Sequence, residues 1–191
     1  MPMLAFLAAA ALAAAPAPAA APLPAPMPQG EELERQIADL DARLFWAGFE
    51  GCDPDAMAPL LAPDFRMYHD RIGVSATDAA DMVAGFRRQC DARKPGGKDE
   101  GYRNRREIVP GSRVIRRMGE WGALEEASHL FFEWRGADKG WALVGGARYM
   151  NLWQWLPAER RFVLKQSYSY DHAPAAPYPP AFAAAPAGAA K

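Results

Sequence analysis

The sequence predicts an α+β domain in which a curved antiparallel sheet wraps over three N-terminal helices. Three observations carry this. Apolar residues recur at helical spacing up to residue 90, the period changes to two after a loop at 91–101, and no helical stretch follows. With no other element left to cover their inner face, the strands must curl over the helices.

Residues 31–49 form the first helix: Leu33, Ile37, Leu40 and Leu44 recur at helical spacing, and acids in the first turn favour the positive end of the dipole. Gly51 ends it. Asp53-Pro54 then supplies an N-cap followed by proline at the first helical position, opening a short helix through Met57, Leu60 and Leu61. Pro63 stops that helix, and Phe65-Arg66-Met67-Tyr68 has strand composition. Arg71-Ile72-Gly73 makes a turn. Ser75 with Asp78 fits a capping box for the third helix, whose inner face carries Ala79, Met82, Val83, Phe86 and Cys90. Strands are expected at 102–109, 113–118, 123–134, 147–156 and 162–170. The separators are turn-like, Pro110-Gly111 and residues 119–122, 135–140 and 157–160.

The ends differ in composition. Residues 1–28 hold no Asp, Glu, Lys or Arg, and the apolar run from Leu4 to Ala15 matches the core of a secretory signal peptide. It is too short to span a bilayer, which takes about 20 residues. The expected division is a signal peptide at 1–21, an Ala/Pro linker at 22–30, one domain at 31–172 and a disordered Ala/Pro tail at 173–191. A low-complexity extension of a cytosolic protein is the alternative for the leader. Residues 29–172 carry all 23 acids and 21 of the 22 bases, a formal charge of −2. Arg103, Arg105, Arg106, Arg113, Arg116 and Arg117 cluster, but in a weakly acidic domain they are expected on the solvated face of a hairpin, not on nucleic acid. A secreted or periplasmic location makes a Cys52–Cys90 disulfide one alternative and two buried thiols the other. CxxC, HExxH and glycine-rich phosphate motifs are missing from the sequence, so neither a metal nor a cofactor is expected.

Two phrases resemble a known superfamily. "LFWAGFEGCDPDAMAPLLAPDFRMYHDRIG" resembles the opening of nuclear transport factor 2-like proteins, and "RYMNLWQW … RRFVLKQSYSYDH" resembles their closing hairpin. The similarity covers 31–172 and is nearest to the SnoaL-like branch, much of it without assigned activity. It implies a cone-shaped sheet with a cavity between helices and concave face, and frequent pairing of two copies through their sheets. In several enzymes of the superfamily an Asp or His in the cavity removes a proton, which makes Asp70, His69 and His129 the catalytic candidates. Each also has an ordinary reading: a turn cap for Asp70, a packed ring for a mid-strand histidine, and a cap on the sheet end for His172.

Strand parity selects the side chains expected to line the cavity: Tyr68, Tyr149, Asn151, Trp153, Gln166, Tyr168 and Tyr170. The first helix departs from the isomerase-like pattern because it offers no tyrosine there, and Asp39 and Asp41 are expected to face away from its Leu/Ile stripe. The functional expectation is an exported pocket protein for a small, largely apolar molecule, forming a homodimer. The alternative is a lyase or isomerase using an Asp or His base in the same pocket.

Overall fold

The computed structural model describes residues 25–174. The expected signal peptide at 1–21 and the tail from 175 onward lie outside the described residues. Helices α1 (Gly30–Gly48), α2 (Pro54–Met57) and α3 (Ala79–Arg93) pack on a curved seven-stranded sheet. Its strands are β1 (Leu61–His69), β2 (Gly73–Ala76), β3 (Asn104–Ile108), β4 (Val114–Met118), β5 (Gly122–Trp134), β6 (Trp141–Leu156) and β7 (Arg161–Pro174). No described helix is long and apolar enough to cross a membrane.

The order is β2-β1-β7-β6-β5-β3, with β4 also on β5. The thirteen residues of β5 hold β3 on one half and β4 on the other. One pairing departs from the all-antiparallel expectation: β1 runs parallel to β7. The chain leaves β1 through the β2 hairpin and α3, and returns to the same edge only at its end, so the two strands need not alternate in direction.

The element starts follow local chemistry. Asp53 Oδ1 accepts the N–H of Ala56, and Pro54 follows it as expected. The short helix gives way after Met57 to a 3-10 turn, so Leu61 already belongs to β1. The cap of α3 is Asp78, not Ser75: Asp78 accepts the N–H of Asp81, and Asp81 accepts that of Thr77. Ser75 lies in β2, where its hydroxyl bonds the carbonyl of Met67.

The segment before α1 is part of the fold: Met27 is buried, Ala25 donates its N–H to Pro157, and Trp155 Nε1 donates to the carbonyl of Ala25. The main core joins Leu33, Ile37 and Leu44 of α1 to Phe65, Trp153, Trp155, Phe162 and Leu164 of the sheet. Gly48 is where α1 meets α3. A Cβ there would sit 2.9 Å from the Phe86 ring, so only glycine permits that approach. A Cys52–Cys90 disulfide ties the α1–α2 loop to the end of α3.

Candidate functional site

Between the helices and the concave sheet face lies a cavity of about 150 Å³. Its walls are apolar, with Leu44 and Phe45 from α1, Phe49 at the C-cap of that helix, Phe65 from β1, and Met82 and Phe86 from α3. Polar groups come from the strands: His69, His129, Tyr149, Ser167, Ser169 and His172.

Bulges decide which strand residues reach it. On β7, Leu164 faces Trp153 and Gln166 faces Leu152, so Lys165 is an extra residue and the parity beyond it inverts. Ser167 and Ser169 therefore line the cavity, while Gln166, Tyr168 and Tyr170 do not. Tyr68 lies outside as well, its ring stacked on Tyr168 at 5.1 Å between centroids. Of the residues expected to line the cavity, Tyr149 does so, and Asn151 and Trp153 are fully buried beyond it. A second bulge on β7 puts Asp171 and His172 opposite Ala147 alone. Asp171 takes φ 57°, and His172 turns to the cavity.

At one end, β1 and β7 bring together Asp70 and His172. Asp70 Oδ2 accepts the backbone N–H of His172 at 3.0 Å, and Oδ1 lies 2.7 Å from its Nδ1. This holds the proton on Nδ1 and leaves Nε2 as the basic nitrogen, 3.3 Å from Ser169 Oγ. Burial pulls the Asp70 carboxyl up, but the hydrogen bonds from His172 outweigh it and the net shift is downward. His69 stacks on His172 at 4.1 Å, and burial, then the neighbouring His172, lower its pKa. Among the described residues, these three alone offer a metal-ligand constellation. Their ligand atoms lie within 4.8 Å of one another, and one of them, His172 Nδ1, already faces Asp70 Oδ1.

Behind the cavity is a buried charge network. Arg106 makes a bidentate pair with Asp41, at 2.8 and 3.2 Å, and its guanidinium lies over the Phe45 ring. Arg113 Nη2 lies 2.7 Å from the same carboxylate, and its Nε lies 3.0 Å from Glu125 Oε1. Glu125 accepts from Tyr149 Oη at 2.9 Å and from Trp153 Nε1 at 3.0 Å. Two expectations are corrected. Asp41 faces inward, and Arg106 and Arg113 leave the solvated hairpin face to meet it, whereas Arg116 pairs with Glu126 at the surface. The signal was available, since Asp41 stands four residues after Ile37 and three before Leu44, in the stripe itself. Glu125 likewise sits at an inward-facing strand position.

Burial, and then the nearby Asp41 carboxylate, push Glu125 from 4.5 up to about 7. Its folded pKa lies above its unfolded one, so the unfolded chain releases this proton first as pH rises. Stability from this group is full below pH 4.5 and falls towards pH 7. Glu125→Gln should flatten that slope in urea midpoints measured across the window; an unchanged slope would refute the assignment.

His129 is buried on β5, with its Nδ1 accepting from Arg106 Nε at 2.8 Å. Burial, then the Arg106 charge, hold its pKa well below 6.5, so the ring is neutral. A neutral ring that accepts at Nδ1 carries its proton on Nε2.

No protein-family model and no curated protein sequence matches the chain. Solved structures do. ActVI-ORFA from Streptomyces coelicolor aligns at TM-score 0.59 and 13% identity, over 73% of this chain and 96% of that one. An NTF2-like protein with a cystatin-like fold from Novosphingobium aromaticivorans aligns at 0.55 and 15%, over 72% and 80%. A Catenulispora acidiphila protein, in complex with S-DNPA, aligns at 0.55 and 14%, over 72% and 92%. At these identities the likeness shows the nuclear transport factor 2-like, cystatin-like fold.

Proposed function

We propose that this is an exported protein, secreted or periplasmic, whose cavity binds a small, largely apolar molecule of single-ring size. The observation that carries the reading is the cavity itself: about 150 Å³, walled by aromatic and aliphatic side chains, with its polar groups at defined points on the strands. An apolar cavity of about that size accepts benzene, and this one adds the polar groups of its strands. A polycyclic ligand would not fit without movement of the walls. Export is supported by the apolar run at 4–15 and by the disulfide, which persists in an oxidising compartment. A cone-shaped sheet of the SnoaL-like kind agrees with the cavity's position. Pairing of two copies is supported by the outer face near β2, where Ile72 and Val74 are 68% and 52% exposed.

Toluene titrated into the protein should shift the methyl NMR signals of Met57, Met67 and Met82, all at the cavity. Unmoved signals at saturating toluene would sink the pocket reading. Native mass spectrometry of the protein from its own cells should report a mass lacking the leader, and a dimer. An intact leader would end the export reading, and a monomer would end the pairing one.

One observation favours a second reading, that of a lyase or isomerase: the 2.7 Å contact between Asp70 and His172, which leaves His172 Nε2 basic at the cavity. Positioned bases contribute about 10²–10⁴ in rate. Exchange of the methyl protons of acetophenone in D2O should exceed the buffer rate and fall about 100-fold in Asp70→Asn. Exchange at the buffer rate would remove this reading and leave the binding one standing.

A further inference from the structure

Next to the inner cavity, and sharing with it only Phe49 among the described residues, lies an open cleft of about 480 Å³. Small-molecule sites commonly enclose about 300–1,000 Å³. The Cys52–Cys90 disulfide, the end of α1, the end of α3 and the start of β3 surround it. Its charge runs against that of the domain. Arg93, Lys94 and Arg103 line it with a single carboxylate, Glu50, in a domain of formal charge −2. Lys94 is matched by Asp91 at 2.6 Å, which leaves two guanidinium groups against Glu50 and one net positive charge. Neither guanidinium is held by an acid among the described residues. Arg93 Nη1 donates to the carbonyl of Phe49 at 3.2 Å and faces Cys52 Sγ at 3.7 Å, and the group lies 5.0 Å over the Tyr102 ring. That ring is itself fixed, its Oη donating to Glu133 at 2.9 Å. Nε and Nη2 of Arg93 have no acceptor among the described residues, yet neither is sealed from solvent. Arg103 lies over Trp134 and Trp141, at 5.1 and 5.4 Å. Burial lowers the pKa of Arg93 against the pull of Tyr102 and Asp99, so its charge is under-compensated where it stands. A positioned fork of donors without an acceptor is the half that a carboxylate completes with two parallel bonds.

We propose that this cleft is a second binding site, which takes a monoanionic aromatic carboxylate with its carboxylate on Arg93 and Arg103 and its ring against Trp46 and Trp141. The inference is independent of the small-molecule reading of the inner cavity. A monoanion matches the one net positive charge, and Glu50 disfavours a second negative one. The aromatic part follows from the walls. Trp46 is 53% exposed at the cleft and Trp141 is half-buried, so indole surface there remains open to a flat apolar partner. The disulfide fixes the loop that carries Cys52 to the helix that carries Arg93, so the two sides of the cleft keep their spacing without a ligand.

The test compares 2-naphthoate with 2-naphthamide, a neutral molecule of nearly the same shape, each titrated while the indole N–H signals of Trp46 and Trp141 are followed by NMR. Naphthoate should bind about tenfold more tightly, the worth of one charge-assisted hydrogen bond. Added salt should weaken naphthoate and leave naphthamide unchanged, a readout that needs no variant to fold. The ratio should fall to about one in Arg93→Gln and in Arg103→Gln, the second at an exposed position, while naphthamide still binds. Toluene should still move the Met82 methyl signal with naphthoate bound, because cleft and cavity are separate. Equal affinities for the two probes, binding of neither, or displacement of naphthoate by toluene would each overturn the proposal. The response of the inner cavity to toluene alone is untouched by these outcomes, so the pocket reading stands or falls separately.

Discussion

Replacing Asp41 by alanine is expected to lower the unfolding free energy by about 3–5 kcal/mol, the cost of leaving a buried charge without its partner. The expectation follows from exposure. The side chain of Asp41 is 0% exposed and that of Arg106 3%, so neither guanidinium contact can be replaced by water without opening the fold. Arg113, at 26%, is better placed to rehydrate and should contribute less of the loss. Urea unfolding of the variant against the wild type measures it. A loss below about 1 kcal/mol would mean that water reaches the network, since exposed ion pairs are worth that much or less. Asp41→Leu combined with Arg106→Met should recover much of the stability, because well-packed apolar replacements of a buried pair are often neutral. The same double variant frees His129 Nδ1, so its tautomer should no longer be single. The network is thus expected to act through geometry more than through net stabilisation.

Loss of the disulfide is the second large effect. Cys52 and Cys90 are separated by 38 positions, and constraining a loop of that length is worth about 4 kcal/mol in the chain-entropy account. Total stabilities of single domains are about 5–15 kcal/mol, so Cys52→Ser/Cys90→Ser should be markedly less stable in urea. Cys52 has φ 46°, a left-handed conformation that costs a residue with a side chain roughly 1 kcal/mol. Serine keeps that strain, so Cys52→Gly/Cys90→Ser should lose about 1 kcal/mol less. A serine variant as stable as the wild type would show the two elements held by packing alone. The consequence for function is local. The bridge ties the loop after Phe49 to the helix that carries Met82 and Phe86, three walls of the cavity. Toluene affinity should fall in the variant even where it remains folded.

The amino-acid order by itself determined the α+β class, the order of two helices, a strand, a third helix and then the long strands, and most element cores. It did so because helix and strand periods are local: Leu33, Ile37 and Leu44 declare a buried stripe, and the alternation Glu125, Ala127, His129 declares a buried face, without reference to any distant residue. The buried face of β6, from Ala147 to Trp155, was legible for the same reason.

Tertiary structure decided what depends on residues far apart. The extra Lys165 on β7 has no local signature, yet it turns Tyr168 and Tyr170 out and Ser167 and Ser169 in. The Asp70–His172 contact joins residues 102 positions apart, and it exists because β1 lies parallel to β7. The inward place of Asp41 is written in its stripe, but the partners that permit it are not. An acid in an apolar stripe is unfavourable unless cations meet it, and Arg106 of β3 and Arg113 just before β4 arrive more than sixty residues later. Periodicity reports which way a residue faces, whereas the partner that makes a buried charge or a single tautomer tolerable is supplied only when the sheet closes.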